Sequence, residues 1–380
     1  MAEAATKAGA GGGLRNVVAG QSALSTIDGA KGILSYRGID IHALAEHSGF
    51  EEAVFLLHRG ALPTRAQLDA FRRDLARERT LPDAALSVLH ALPRSAHPMT
   101  ALRSVVSALG ALDPDAADDG EAARERKALR LVAQMATVVA AIERVRNGWA
   151  PVSPDQTLPH GANLLYMLRG QRPSDSEARI MDVALVLHAD HEFNASTFVA
   201  RVTASTLADI HGAVTAAIAA LKGPLHGGAN EAVMQTLSEI KTTDRVEPYL
   251  KDAFANKRKV MGFGHAVYKT EDPRATHLRQ LSRKLGEEKG DRRWFDLSEK
   301  IEEFVKREKG LYANVDFYSA SLYHVLGLPT DLFTPVFAVS RVAGWTAHAL
   351  EQIANNKLIR PESEYIGLSN VPYVPIEARG

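Results

Sequence analysis

The sequence has no cysteine in its 380 residues. Disulfide bonds, thiolate nucleophiles and metal sites with cysteine ligands are therefore excluded, which suits a cytoplasmic enzyme. Excess charge is also missing, because Lys plus Arg and Asp plus Glu each number 45. A net charge of zero argues against broad electrostatic capture of nucleic acid or of a membrane surface. Any cationic binding site must therefore be local.

Long apolar runs are missing as well, since none reaches the roughly 18 residues that a membrane-spanning helix needs. The first residues, MAEAATKAGAGGG, contain neither the apolar stretch of a signal peptide nor an Arg-rich amphipathic pattern. We interpret residues 1–13 as a disordered tail. The remaining length exceeds the size at which a single core keeps growing, so we expect two unequal domains with a cleft between them.

Hydrophobic periodicity predicts a mainly α fold with a few short strands near the N-terminus. The strands are predicted around Ile27 and Ile33, where β-branched residues mix with glycines. Apolar residues then recur at steps of three and four, as in a helix, in two stretches: Val132, Met135, Val139, Ile142, and Leu207, Ile210, Val214, Ile218, Leu221. The stretch 194–206 is rich in small side chains, which predicts a helix deep in the core or in a subunit interface.

Three separate segments each carry one residue capable of catalysis. GPLHGGAN contains His226, VMGFGHAVY contains His265 and NVDFYSA contains Asp316. Two histidines and a carboxylate on tight or Gly-rich stretches can remove a proton from carbon and stabilise the resulting enolate. The pattern favours carbon–carbon bond formation over simple hydrolysis.

Each of the three residues also has an ordinary structural interpretation. His226 at a helix entry suits a neutral hydrogen-bond donor, or else a cap or a surface residue. Asp316 has apolar neighbours that would raise its pKa toward that of a general base, and it could equally cap a helix. His265 follows glycines and a basic run, which suits a nucleotide phosphate or a plain glycine turn.

The segment HADHE, residues 188–192, has two histidines three residues apart with carboxylates beside them. This allows a metal site, and with it a metal-dependent hydrolase, although the spacing is not HExxH. We favour a polar pocket wall in which His191 contacts an anionic ligand, and we predict no metal. Arg274, Arg341 and Arg360 would hold a di- or tricarboxylate if they converge, because arginine pairs with carboxylates through two hydrogen bonds.

From about Leu14 to its end the chain resembles the citrate synthase family. The motifs that carry the resemblance are VVAGQSALSTIDGAKGILSYRGIDI, HADHEFNAST, GPLHGGAN, GFGHAVYKTEDPR, YANVDFYSA, FAVSRVAGWTAH and IRPESEYIG. The resemblance implies an acyltransferase without a cofactor that joins acetyl-CoA, oxaloacetate and water into citrate and CoA. 2-Methylcitrate synthase is similar in the same motifs, so propionyl-CoA stays open as the acyl donor.

The resemblance also implies roles for individual residues. Asp316 would remove the methyl proton of acetyl-CoA, His226 would donate a hydrogen bond to the thioester oxygen, and His265 would polarise and protonate the ketone. The carboxylates of oxaloacetate and citrate would be bound by a second group, walled by an aromatic ring: His191, Arg274, Arg341 and Phe337. CoA would face backbone and cations of a third group: Lys257, Arg258, Val260, Met261, Gly262, Phe263, Gly264, Lys269, Lys309 and Asn314.

The implied assembly is a mainly helical homodimer in which Arg360 reaches the site of the neighbouring subunit. A small domain, residues 222–326, would close over a large domain made of residues 14–221 plus 327–380. The resemblance is to the short bacterial and archaeal form, so we expect neither the long N-terminal β domain of the hexameric type nor its inhibition by NADH.

Overall fold

The computed structural model describes Leu14 and residues 17–380, so the interpretation of residues 1–13 lies outside the described residues. The described part of the chain forms sixteen α-helices, three short 3-10 turns and one three-stranded sheet. The prediction of a mainly α fold with a few short N-terminal strands is therefore confirmed. None of the helices in the described part is long and apolar enough to cross a membrane.

The sheet is antiparallel and lies at the start of the chain. It consists of β1 (Ser25–Asp28), β2 (Ile33–Tyr36) and β3 (Ile39–Asp40), in that order. Tyr36 pairs with Ser25 on one side and with Ile39 on the other. Its buried hydroxyl donates to the backbone oxygen of Asp190 at 3.0 Å. The sheet thereby anchors the HADHE segment.

Ten of these sixteen helices of the described residues precede residue 222. They are α1 (Ile41–His47), α2 (Phe50–Arg59), α3 (Arg65–Arg77), α4 (Asp83–Ala91), α5 (Pro98–Leu112), α6 (Glu121–Arg146), α7 (His160–Arg169), α8 (Asp175–His188), α9 (Ala195–Ser205) and α10 (Ile210–Leu221). Six follow: α11 (Ala229–Ile240), α12 (Val246–Ala255), α13 (Pro273–Lys289), α14 (Arg293–Lys309), α15 (Val315–Val325) and α16 (Phe333–Ala354).

Both periodic stretches form helices, with one difference at Leu207. That residue was expected inside the helical repeat, but it lies in the connection between α9 and α10 with a φ of 63° and is 60% exposed. The reason is local, because the side chain of Asp209 accepts a hydrogen bond from the Gly212 N–H and starts α10 there.

Two long helices, α6 and α16, are buried along most of their length and pack against each other. The small-residue helix α9 packs on α10 and α16. Its buried positions include Ser196, Ala200 and Ala204, whose small side chains allow the close approach. Helices α11 to α15 pack mainly on one another. This is consistent with a small domain at residues 222–326, which stays a prediction.

Candidate active site

Two loops pair through their backbones and carry two of the predicted catalytic residues. Phe263 forms an antiparallel bridge with Ala313, and the Gly264 N–H donates to the Tyr312 oxygen at 2.9 Å. Asn314 donates its backbone N–H to Gly262 and its side-chain amide to Gly264, both at 2.9 Å. This pairing brings the loop that ends in His265 alongside the start of α15, which carries Asp316.

Asp316 lies in the first turn of α15, but it is not the cap. The N-cap is Asn314, whose side chain accepts from the Asp316 N–H at 3.0 Å, so the capping interpretation of Asp316 is wrong. The carboxylate accepts no hydrogen bond from the described residues. Burial raises the pKa of Asp316 to about 6, against the opposing charges of Arg274 and Arg341. A general base of this strength is suited to work near neutral pH.

The ring of His265 is held by the backbone that follows it. Its Nδ1 accepts hydrogen bonds from the N–H groups of Val267 (3.0 Å) and Tyr268 (3.3 Å). Burial, helped by the charge of Arg274, lowers the pKa of His265 to about 4. The neutral ring must therefore carry its proton on Nε2, which is left to donate to a ligand.

His226 has the opposite tautomer for the same kind of reason. The Ser196 N–H, which can only donate, points at Nε2 from 3.2 Å, and the Ser196 hydroxyl lies 2.8 Å from the same atom. Burial and the charge of Arg341 lower the pKa of His226 to about 4. The ring is neutral with its proton on Nδ1. A side chain at Gly227 would overlap the Leu221 carbonyl oxygen, so this tight turn needs glycine.

His191 lies deeper in the site, next to His265. The two ring centroids are 5.2 Å apart, and His191 Nε2 lies 3.2 Å from the Tyr268 hydroxyl. Burial and the nearby Arg274 hold the pKa of His191 well below its usual range. It is therefore a third neutral imidazole in this region.

The arginines differ from one another in their partners. Arg274 is 2% exposed and forms two hydrogen bonds to Asp272, at 2.9 and 2.7 Å. Arg341 is 1% exposed, donates Nε to the His188 oxygen at 2.7 Å and lies over the Phe337 ring at 4.6 Å. No carboxylate of the described residues lies within salt-bridge distance of Arg341. A buried guanidinium without a counter-ion is unfavourable, so the position suits an anionic ligand.

Electrostatic coupling indicates which predicted residues converge. The charge of Arg341 acts on His226, His191 and Asp316, while the charge of Arg274 acts on His265, His191 and Asp316. The structure thus brings together His226, His265, Asp316, His191, Arg274 and Arg341, with Phe337 beside the last of them.

Arg360 does not join this cluster within its own chain. It is exposed, and so is every residue from 360 to 380. The segment before it is tied to α9, because the Ile359 N–H donates to the Ser205 hydroxyl at 3.0 Å. Several large apolar residues of this C-terminal segment, residues 360–380, are also exposed: Tyr365, Ile366, Leu368 and Tyr373.

The predicted CoA-binding residues fall into two places. Gly264, Lys269 and Asn314 line a cavity of about 240 Å³ that also contains His265. The cations Lys257, Arg258 and Lys309 instead lie around α12. There Arg258 pairs with Asp252, and Lys309 Nζ lies 4.5 Å from the centre of the Phe254 ring.

The HADHE side chains have separate partners. His188 Nδ1 lies 2.7 Å from the Ala184 oxygen, Asp190 contacts Ser25 and His348, and Glu192 accepts from the Ile27 N–H at 2.7 Å. In the part of the chain that the structure describes, no three histidine or acidic side chains are grouped so as to hold a metal ion. The geometry gives the hydrolase alternative no support.

Sequence reasoning missed three residues that hold the site. Ser196 fixes the tautomer of His226, Tyr268 contacts His191, and Asp272 pairs with Arg274 and accepts from the Val315 N–H at 3.2 Å. Asp272 could have been found from the sequence, since an acidic residue two positions before an arginine can form an ion pair with it. The other two depend on contacts distant in sequence.

The chain is similar to known proteins over nearly its whole length. Residues 13–362 match the family model described as citrate synthase, C-terminal domain. The chain is 48% identical to citrate synthase 2 of Bacillus subtilis, over 97% of this chain and 98% of that protein. It is 43% identical to the 2-methylcitrate synthase of Shewanella oneidensis, with the same coverage of each.

Two solved structures share the whole fold. The citrate synthase of Pyrobaculum aerophilum has a TM-score of 0.91 and 42% identity, covering 97% of this chain and 95% of that one. A ternary complex of the Thermoplasma acidophilum citrate synthase with carboxymethyl coenzyme A and oxaloacetate has a TM-score of 0.92 and 34% identity, covering 97% and 98%. The chain therefore belongs to the citrate synthase family of acyltransferases.

Proposed function

We propose that this chain condenses acetyl-CoA with oxaloacetate and water to give citrate and CoA. The observation that carries the proposal is a set of two neutral imidazoles with opposite, backbone-fixed tautomers, together with a carboxyl of raised pKa and a buried guanidinium that has no carboxylate partner among the described residues. Two fixed donors, one anion site and one base are what this condensation requires.

Each of the three catalytic residues acts at one point of the condensation. The Asp316 carboxylate removes a methyl proton from acetyl-CoA, and the His226 Nδ1–H stabilises the oxygen of the resulting enolate. The enolate carbon bonds to the ketone carbon of oxaloacetate, whose oxygen takes the proton from His265 Nε2. Water then cleaves the thioester of citryl-CoA. Arg341, Arg274 and His191 bind the carboxylates, and Phe337 walls the pocket.

Propionyl-CoA is the second candidate acyl donor, and the likeness to a 2-methylcitrate synthase favours keeping it. The deciding experiment measures CoA release with oxaloacetate and each thioester. We expect a higher kcat/KM with acetyl-CoA. A higher value with propionyl-CoA would make the chain a 2-methylcitrate synthase, and no CoA release with either would contradict the condensation.

CoA is proposed to bind along the backbone of residues 260–264 with Asn314 and the surrounding cations. No cofactor is proposed, and the expected partners are small molecules in the cytoplasm, with no nucleic acid or membrane. Substituting Lys269 by Ala should raise the KM for the thioester and leave the KM for oxaloacetate unchanged. Equal changes in both KM values would remove Lys269 from the CoA site.

Oxaloacetate is proposed to close the cleft before the thioester binds. Its ligands come from both proposed domains, His191 and Arg341 from one and His265 and Arg274 from the other, which couples binding to closure. Small-angle scattering should show a smaller radius of gyration with oxaloacetate alone. Compaction only after the thioester is added would reverse the order.

A homodimer with Arg360 acting in trans is also proposed, supported by the exposed C-terminal segment. Arg360→Ala and Asp316→Asn chains, each nearly inactive alone, are co-expressed. Random pairing yields about half mixed dimers, in which one of two sites is intact, so about a quarter of wild-type activity should return. No recovery, with mixed dimers shown to be present, would place Arg360 in its own subunit's site or outside the mechanism.

A further inference from the structure

A second network of buried polar residues lies behind the site and is not used by the proposed chemistry. Asp190 and His348 are both 0% exposed, and His348 Nε2 lies 3.2 Å from Asp190 Oδ2. On its other side, His348 Nδ1 lies 3.0 Å from Arg201 Nη1, which also donates to Glu351 at 2.6 Å. A guanidinium can only donate, so His348 Nδ1 accepts and Nε2 donates to Asp190.

The network ends on the turn that presents the ketoacid ligands. In residues 188–192, the His188 oxygen accepts from Arg341 Nε, and the Ala189 oxygen accepts from the Gly344 N–H at 3.1 Å. The Ser25 hydroxyl donates to Asp190 Oδ2 at 2.5 Å and accepts from the Glu192 N–H at 2.9 Å. His191 lies between these fixed points.

Gly344 shows how closely the turn fits against α16. A Cβ at this position would lie 2.5 Å from both the Ala189 oxygen and Asp190 Oδ1. Because Asp190 Oδ1 is buried and accepts no hydrogen bond from the residues that the structure describes, the carboxylate depends on the two donors at Oδ2. Removing one of them leaves the buried Asp190 carboxylate with a single hydrogen bond. This is unfavourable, and the turn is then free to rearrange.

We infer that Asp190 and His348, backed by Arg201 and Glu351, are positioning residues that hold the 188–192 turn and thereby His191 and Arg341 for the ketoacid. This deepens and rests on the proposed function. If either ligand moves out of hydrogen-bonding distance, the loss of a charge-assisted contact should weaken ketoacid binding by about tenfold to a hundredfold. Binding of the thioester, which is proposed to contact the paired loops 262–264 and 312–314, should not change.

A matched pair of variants tests the inference. His348→Gln keeps a donor that reaches the Nε2 position, whereas His348→Asn keeps an acceptor for Arg201 and loses the donor to Asp190. We expect the KM for oxaloacetate to rise at least about tenfold in His348→Asn and to stay within about threefold in His348→Gln, with the KM for acetyl-CoA unchanged in both. Thermal melting of both variants reports any general loss of stability.

Equal ketoacid KM values in the two variants, or parallel rises for both substrates, would overturn the inference. If His348→Asn does not fold, Ser25→Ala removes the other donor to the same oxygen from the half-buried strand β1. An unchanged ketoacid KM in Ser25→Ala would then overturn it, and a selective rise would support it. Wild-type protein that releases no CoA would instead contradict the proposed function.

Discussion

The proposed ketoacid side and the proposed thioester side of the site are built in different ways. On the ketoacid side, His188, Asp190, His191 and Arg341 are no more than 7% exposed and are held through side chains by the sheet and α16. On the thioester side, the loops 262–264 and 312–314 are held by backbone hydrogen bonds and by the side-chain amide of Asn314, and Asp316 stays partly exposed.

The difference indicates where each half is sensitive. A pocket held by side chains should respond to changes of charge and hydrogen-bonding capacity, because buried polar groups that lose a partner are costly. A pocket held by paired backbone should respond to changes at its glycines, because only glycine takes the positive φ of 83° and 74° found at positions 262 and 264 without strain. Substitutions on the two sides should therefore be separable.

Asp316→Asn gives the largest expected effect and separates the sides most cleanly. The amide keeps the shape of the carboxyl group but cannot take the methyl proton, so kcat should fall by at least about 10²–10⁴-fold. Oxaloacetate affinity, measured by calorimetry, should stay nearly unchanged because the base acts on the other substrate. Near-normal turnover would remove Asp316 from the mechanism.

The two buried arginines sharpen the comparison next. Arg274→Met leaves Asp272 buried without its partner, which should destabilise the fold by about 3–5 kcal/mol. Arg341→Met removes a buried charge that has no carboxylate partner among the described residues, but it also removes the hydrogen bond to the His188 oxygen, so the melting temperature should fall much less than in Arg274→Met. Its ketoacid KM should nevertheless rise about a hundredfold through loss of a charge-assisted pair. A large loss of stability in Arg341→Met would mean that the residue has a structural counter-ion.

The sequence predicted which residues form the site, but it did not predict their tautomers, their capping roles or their ion partners. The motifs named the two histidines and Asp316, and periodicity found α6 and α10. The tautomer of His226 was out of reach because it depends on a backbone N–H 30 residues away. Asn314 and Asp316 are both good capping residues, so sequence could not say which of them starts α15. Whether a carboxylate lies near Arg341 depends on packing between segments that are distant in sequence.

Two glycines in one loop provide a matched test of the thioester side. A Cβ on Gly262 would lie 2.8 Å from Val233 Cγ2 and 2.9 Å from Phe317 Cδ2, whereas one on Gly264 would meet only Leu311 Cδ2 at 3.8 Å. Both substitutions to Ala carry about 1–2 kcal/mol of backbone strain, and Gly262→Ala adds about 1–3 kcal/mol of overpacking. Thermal melting should rank Gly262→Ala well below Gly264→Ala. Equal melting temperatures would mean that the loop relaxes freely.

The pH dependence of turnover gives the smallest effect and concerns the thioester side alone. The proposed mechanism needs Asp316 as a carboxylate, and its pKa is raised to about 6, so activity should be lost as the pH falls through 6. An ordinary carboxyl group would hold activity down to about pH 4. At pH 5 we expect kcat about tenfold below its plateau at pH 8.

The histidines should not contribute to this loss. Since the pKa values of His226 and His265 are lowered to about 4, both rings stay neutral across the window. Turnover is also measured with methyl-deuterated acetyl-CoA. A slower rate with the labelled substrate in the acidic range would assign the loss of activity to proton removal, because only that step breaks the labelled bond. The folded fraction is followed by circular dichroism, since histidines with lowered pKa values destabilise the fold below pH 6.5. If folded protein loses activity only near pH 4, burial does not raise the pKa of Asp316 in the working enzyme.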